Sequence, residues 1–205
     1  DYSGGMLGDE KKAKAEESHS DGSLMKDKIT INTDRTEYGD GRAEIFDLGL
    51  FDARGNLTNL LLKGEMFTIR ERIRFHAPIK CPIFTYTIRD KKGTDLTGTN
   101  TMYEGCDIKP VGDGDVYDVS FTQKMTLQGG EYLLSMSCTG FEGEEHVVYH
   151  RLYNIANLTV ISNKNTVGVY DMEPDVAVRL SPAGEAAKQA ESLSADEAAQ
   201  EDLQV

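Results

Sequence analysis

Between residues 43 and 161 the chain alternates apolar and polar side chains in short runs parted by Gly, Asn and Asp. A period of two places successive side chains on opposite faces of an extended strand. The clearest run is 65–76. Phe67, Ile69, Glu71, Ile73 and Phe75 share one face; Met66, Thr68, Arg70, Arg72, Arg74 and His76 share the other. In 83–89, Phe84, Tyr86 and Ile88 alternate with Thr85, Thr87 and Arg89. The turn Asp90-Lys91-Lys92-Gly93 leads into a run over 95–103. A further run, 116–127, carries Tyr117, Val119, Phe121 and Met125 in phase. Gln128-Gly129-Gly130 then predicts a hairpin into Tyr132, Leu134, Met136 and Cys138. The run 147–161 is expected to break near Tyr153 and Asn154, and 167–170 and 176–180 are two more short candidates. With 43–51 this makes eight or nine strands, no helix of consequence, and an all-β, antiparallel two-sheet sandwich.

The ends differ in kind. Residues 1–33 are polar and poor in large apolar side chains and read as a linker; 182–205 hold seven Ala and six acids and read as a flexible or helical tail. The folded domain is expected over 34–181. The chain begins with Asp, which suggests a piece of a longer protein or a processed one.

Charge narrows the function. The formal net charge is −13, and a broad nucleic-acid surface needs clustered basic excess. No apolar run reaches the ~18–20 residues of a membrane helix, and no signal peptide is visible. Three cysteines, Cys81, Cys106 and Cys138, an odd count at irregular spacing, do not make a disulfide framework, and Cys138 falls on a core position.

Candidate chemistry is sparse. A phosphate-cradling Gly-x4-Gly-Lys-Ser/Thr loop and a Gly-x-Ser-x-Gly elbow are both missing from the sequence. His146 and His150 share a strand face about 14 Å apart, at ~3.4 Å per residue, which suits two surface imidazoles better than one metal. Asp113, Asp115 and Asp118 lack the donor spacing of a calcium loop. The most unusual feature is the stripe Arg70, Arg72, Arg74 and His76. It reads either as a surface for an anionic or polar ligand or as a solvated face with cross-strand ion pairs. Glu71, on the apolar face, is expected at a sheet margin, paired with an Arg, or facing a partner subunit.

Several segments in order resemble a known family. They are Tyr38-Gly39-Asp40-Gly41-Arg42-Ala43-Glu44-Ile45, Asp52-Ala53-Arg54-Gly55-Asn56, Lys63-Gly64-Glu65 and Cys81-Pro82-Ile83-Phe84. Ile88-Arg89-Asp90-Lys91-Lys92-Gly93, Gly98-Thr99-Asn100-Thr101, Leu127-Gln128-Gly129-Gly130-Glu131-Tyr132 and Tyr149-His150-Arg151 follow. Over about 34–162 the chain is similar to the C-terminal domain of Wzt-type proteins, the ATP-binding subunits of exporters of O-antigen or teichoic-acid-like polysaccharides. The resemblance implies an immunoglobulin-like sandwich that binds the exported glycan at its modified end, on the cytoplasmic side of the membrane. It also implies a homodimer, a permease partner, and ATP and Mg bound in an upstream domain, with no cofactor in this chain. His150 stands where the family often has Asp, and 163–205 runs past the usual end. Arg70, Arg72, Arg74 and His76 are the first candidates for carbohydrate contact. Asn100 and Tyr103 come next and His150 last, with a turn-fixing role as the competing reading of Asn100. Recognition without bond breaking is the expected activity. The competing classes are a sandwich-fold glycan hydrolase or modifying enzyme, which needs two facing carboxylates, and a module that only dimerises.

Overall fold

The computed structural model describes residues 23–179. A 3-10 turn, Met25–Lys28, precedes nine strands: β1 (Thr36–Tyr38), β2 (Ala43–Phe51), β3 (Leu60–Leu62), β4 (Met66–Phe75), β5 (Ile83–Asp90), β6 (Asp95–Asn100), β7 (Val116–Lys124), β8 (Gly130–Glu142) and β9 (Glu145–Ile161). The large sheet runs β1-β9-β8-β5-β6, with β3 parallel to the end of β9; the small sheet is β2-β4-β7. All other pairings are antiparallel. This is the all-β sandwich that the alternation predicts.

The core lies between the sheets. Leu48 and Leu50 of β2 and Ile69, Ile73 and Phe75 of β4 meet Phe84, Ile88, Leu134, Met136 and Leu158 of the large sheet, and all of them are buried. Phe75, Phe84 and Tyr117 form a ring cluster with centroids 5.6 to 6.4 Å apart. Burying one such side chain is worth about 1.5–3 kcal/mol, so the inner faces fix which way every strand turns.

Some expectations change. Gly129-Gly130 does not close a hairpin: β7 lies in the small sheet and β8 in the large one, so 125–129 cross between layers. Alternation sets a strand's faces but not its neighbour, and a glycine pair serves a corner as well as a hairpin. The predicted run 95–103 stops at Asn100, where a turn begins. Tyr170 makes an isolated bridge to Leu127 in place of a strand over 167–170. Residues 172–179, a separate unit, hold no strand, and Leu180 lies outside the described residues. So do 1–22 of the expected linker and the whole 182–205 tail. Within the linker's remainder, Ile29 and Ile31 pack on the core, and Asn59 joins Thr30 by two hydrogen bonds.

Glu71 also corrects an expectation. It sits mid-strand in β4, the central strand of the small sheet, opposite Leu48 and Val119. The carboxyl is fully buried and neither oxygen has a hydrogen-bond partner. Burial pushes its pKa well above the ordinary glutamate value, so the neutral acid is the form that fits the core. Burial likewise raises the thiol pKa of Cys138. All three cysteines are free thiols.

Candidate functional site

The outer face of the large sheet carries a polar trough. Thr85, Thr87 and Arg89 point outward from β5 because Phe84, Tyr86 and Ile88 point inward. Across the ladder Thr85 pairs with Ser137 and Thr87 with Ser135. Small hydroxyl side chains at the centre of a sheet leave a hollow, and larger ones wall it. Arg89, Asp95, Arg151 and Tyr153 complete the lining of a cavity of about 270 Å³. A second hollow of about 330 Å³ shares Thr85, Thr87 and Asp95 and continues to Asn100 and Tyr103. The two form one trough, with Tyr153 toward one end and Tyr103 at the other.

A bulge in β9 shapes the deep end. Between Leu134↔Ala156 and Met136↔Leu152, one residue of β8 faces three of β9. Asn154 adopts the left-handed backbone (φ 54°), which Asn tolerates better than most residues. Its N–H donates to Ser135 Oγ at 2.8 Å. This break is where the sequence predicts it, and it occurs where Tyr153 reaches the trough.

The two arginines there are held differently. Arg89 is only 9% exposed. Its Nε donates to Asp95 Oδ1 at 2.6 Å, and its guanidinium lies 4.2 Å from the Tyr153 ring centroid. Burial alone would lower the Arg89 pKa; hydrogen bonds to Asp95 and Tyr153 outweigh it and hold the pKa above the usual value. Arg151, across from Ser137, donates to Tyr38 Oη at 3.1 Å and has no carboxylate in ion-pair range among the described residues. Ser135 and Ser137 are 6% and 3% exposed, so the floor is narrow.

The predicted site residues fall in three places. Asn100 and Tyr103 line the shallow end of the trough. Asn100 Oδ1 also accepts the Tyr103 N–H at 2.8 Å, the turn-fixing role weighed for it, and Tyr103 is 77% exposed. The stripe lies on the opposite side of the molecule, on the outer face of the small sheet. There Arg70 lies over Phe51, and Arg72 and Arg74 lie over Phe46, with guanidinium carbons 4.5 to 5.1 Å from the ring centroids. Arg72 pairs with Asp118 at 3.0 Å, and Arg74 and His76 both face Glu44. His150 points between the sheets and corrects the reading of two surface imidazoles. Ile45 N–H donates to its Nδ1 at 2.9 Å, which leaves the proton on Nε2, 3.1 Å from Glu37. His146 is exposed at the β8–β9 tip, against Phe141.

Sequence reasoning missed Arg89, Ser135, Ser137, Arg151 and Tyr153. Thr85, Thr87 and Arg89 were visible as one polar face. Their register with Ser135 and Ser137, some fifty residues away, was not.

A mixed cleft of about 720 Å³ opens between the β6 and β7 edges, lined by Tyr86, Phe121, Glu104 and Gln123 among others. Among the described residues no group of three His, Cys, Asp or Glu is placed to hold a metal ion, and no helix is long and apolar enough to cross a membrane.

The Wzt C-terminal domain family model matches residues 34–172. No curated protein matches. Among solved structures, the chain is similar to one described as the crystal structure of the C-terminal domain of wzt. The two are 22% identical with a TM-score of 0.68, over 73% of this chain and 91% of that one. At that identity the likeness shows the fold.

Proposed function

The chain belongs to the Wzt C-terminal domain family, and from that premise we propose that it recognises a polysaccharide on its way to export, in the trough of the large sheet. The observation that carries this reading is the pairing of a buried hydroxyl floor, Ser135 and Ser137, with the Tyr153 ring in one hollow. A sugar offers hydroxyl groups around its rim and C–H bonds on its face. Hydroxyl and arginine side chains satisfy the first, and an aromatic ring packs the second. The volume suits one or two sugar units, and the floor is pre-formed by the sheet, so little ordering is needed on binding.

The activity is binding without bond breaking. Two-carboxylate hydrolysis needs a pair of facing acids, and Asp95 is the sole carboxylate lining the two hollows. Asp95 is moreover engaged with Arg89. In the parent transporter, glycan held here would report a finished chain to an upstream ATPase domain that binds ATP and Mg. The module would work as a homodimer beside the permease, at the cytoplasmic face of the membrane.

Calorimetry with the source organism's own surface polysaccharide tests the proposal, run beside Tyr153→Ala. Saturable binding, at least tenfold weaker in the variant and with the polysaccharide unchanged afterwards, is expected. No binding at millimolar repeat units, or equal binding by the variant, would overturn it.

A further inference from the structure

The geometry points to an anionic sugar, one bearing a carboxylate or phosphate, as the occupant of the trough, with Arg151 as the residue that selects it. The inference rests on the glycan reading above and adds the charge of the ligand.

The argument is a balance of charges in one hollow. The ionisable groups on its lining at neutral pH are Arg89, Asp95 and Arg151. Arg89 and Asp95 cancel, since Asp95 takes the Nε and Nη2 edge of the Arg89 guanidinium. The carbon of that guanidinium lies 4.2 Å from the Tyr153 ring centroid. Arg89 therefore has its charge answered and its orientation fixed.

Arg151 has neither. Among the described residues its one side-chain hydrogen bond goes to the neutral Tyr38 hydroxyl, and its guanidinium carbon stands 5.8 Å from the Tyr38 ring centroid. The guanidinium has five N–H donors, and most remain available to a ligand. It is half-buried on a central strand, where an answered charge gains more than at an open surface. The floor thus carries one net positive charge in a chain of formal net −13. A guanidinium matches the two oxygens of a carboxylate or phosphate through paired hydrogen bonds. The neighbouring Ser137 and Tyr38 hydroxyls supply further donors, so an acid group seated on Arg151 leaves the ring of the same sugar over the Ser135–Ser137 floor.

The stripe does not compete for this role. Arg72 is paired with Asp118, Arg74 with Glu44, and Arg70 lies on Phe51 beside Ser120. Two of the three have an acid partner, and Arg70, which has none among the described residues, stands on an exposed strand position over a ring and not over a hydroxyl-lined hollow.

The test uses the full chain, labelled with ¹⁵N, titrated with methyl glucoside, glucuronic acid, glucose 6-phosphate and inorganic phosphate. Resonances of Ser135, Ser137, Arg151 and Tyr153 are followed, in the wild type and in Arg151→Gln and Arg151→Lys. Either acidic sugar binding at least tenfold tighter than methyl glucoside, with the gain lost in Arg151→Gln and only partly kept in Arg151→Lys, which retains the charge but not the paired hydrogen bonds, is the expected result. The gain is also expected to shrink as salt rises. Equal binding of neutral and acidic sugars would overturn the anion and leave the glycan site standing. Phosphate alone binding as well as glucose 6-phosphate would keep the anion and overturn the sugar. An acidic gain that survives Arg151→Gln, or no response to any probe, removes Arg151 from the role. Circular dichroism of both variants shows whether the fold is kept.

Discussion

The two outer faces of the sandwich both carry arginines, and they use them in different ways. On the small sheet Arg70, Arg72 and Arg74 lie over Phe46 and Phe51, and the acids Asp118 and Glu44 stand beside them. That face covers half-buried aromatic rings with guanidinium groups, and two of its three arginines are paired with acids. On the large sheet two arginines rise over small hydroxyl side chains that leave a hollow beneath them, and one of the two has no acid in ion-pair range among the described residues. A row of like charges is therefore a poor guide to a binding site. What separates the faces is the size of the neighbouring side chains: Arg70 lies on a ring, whereas Arg151 lines a hollow floored by hydroxyls.

The largest expected effect lies behind the arginine stripe, on the inner side of the same strand. Glu71 has a folded-state pKa raised by burial, so the fold keeps its full contribution at pH values below the ordinary glutamate range. As pH rises, the unfolded chain ionises first. Stability is then lost at about 1.4 kcal/mol per pH unit until the raised folded pKa is reached. In Glu71→Gln that dependence disappears. Urea midpoints from pH 4 to pH 9 are expected to fall in the wild type relative to the variant, and parallel profiles would remove the buried neutral acid from the account. The experiment also sets the pH at which the two faces can be compared on one intact core.

Next comes filling the hollow. Ser137→Tyr puts a ring over the floor from a position that already faces outward, so the core is untouched. Polysaccharide affinity is expected to drop more than a hundredfold, equivalent to about 2.7 kcal/mol, with an unchanged circular dichroism spectrum. Affinity within threefold of wild type would place the ligand elsewhere.

The smallest effect belongs to the stripe. Arg72→Ala removes an exposed ion pair of the kind worth ~0–1 kcal/mol. Polysaccharide affinity is expected within twofold of wild type. A tenfold loss, read by the same calorimetry, would move the site to the small sheet.

Which parts of this were legible in the sequence follows from the range of each interaction. Alternation along β4 and β5 named every inward residue correctly, because facing is a local property of a strand. Even Glu71 was recognised as inward; its depth was not, since that depends on β2 and β7 flanking β4. The corner at Gly129-Gly130 was read as a hairpin because strand partners are set by the whole sheet order. The trough needs β6, β5, β8 and β9 side by side, with Thr85 against Ser137 and a bulge that presents Tyr153. No local pattern contains that register. The short strands β1 and β3 were missed for a related reason: three residues each, held by the edge of β9, carry too little pattern of their own.

One measurement reaches the central claim most directly. Backbone amide resonances of the full chain are assigned and followed while the surface polysaccharide is added. The account predicts shifts at Thr85, Thr87, Ser135, Ser137, Arg151 and Tyr153, with Arg70, Arg72 and Arg74 silent. Shifts concentrated on the Arg70–Arg74 stretch of β4, with the large sheet silent, would contradict it.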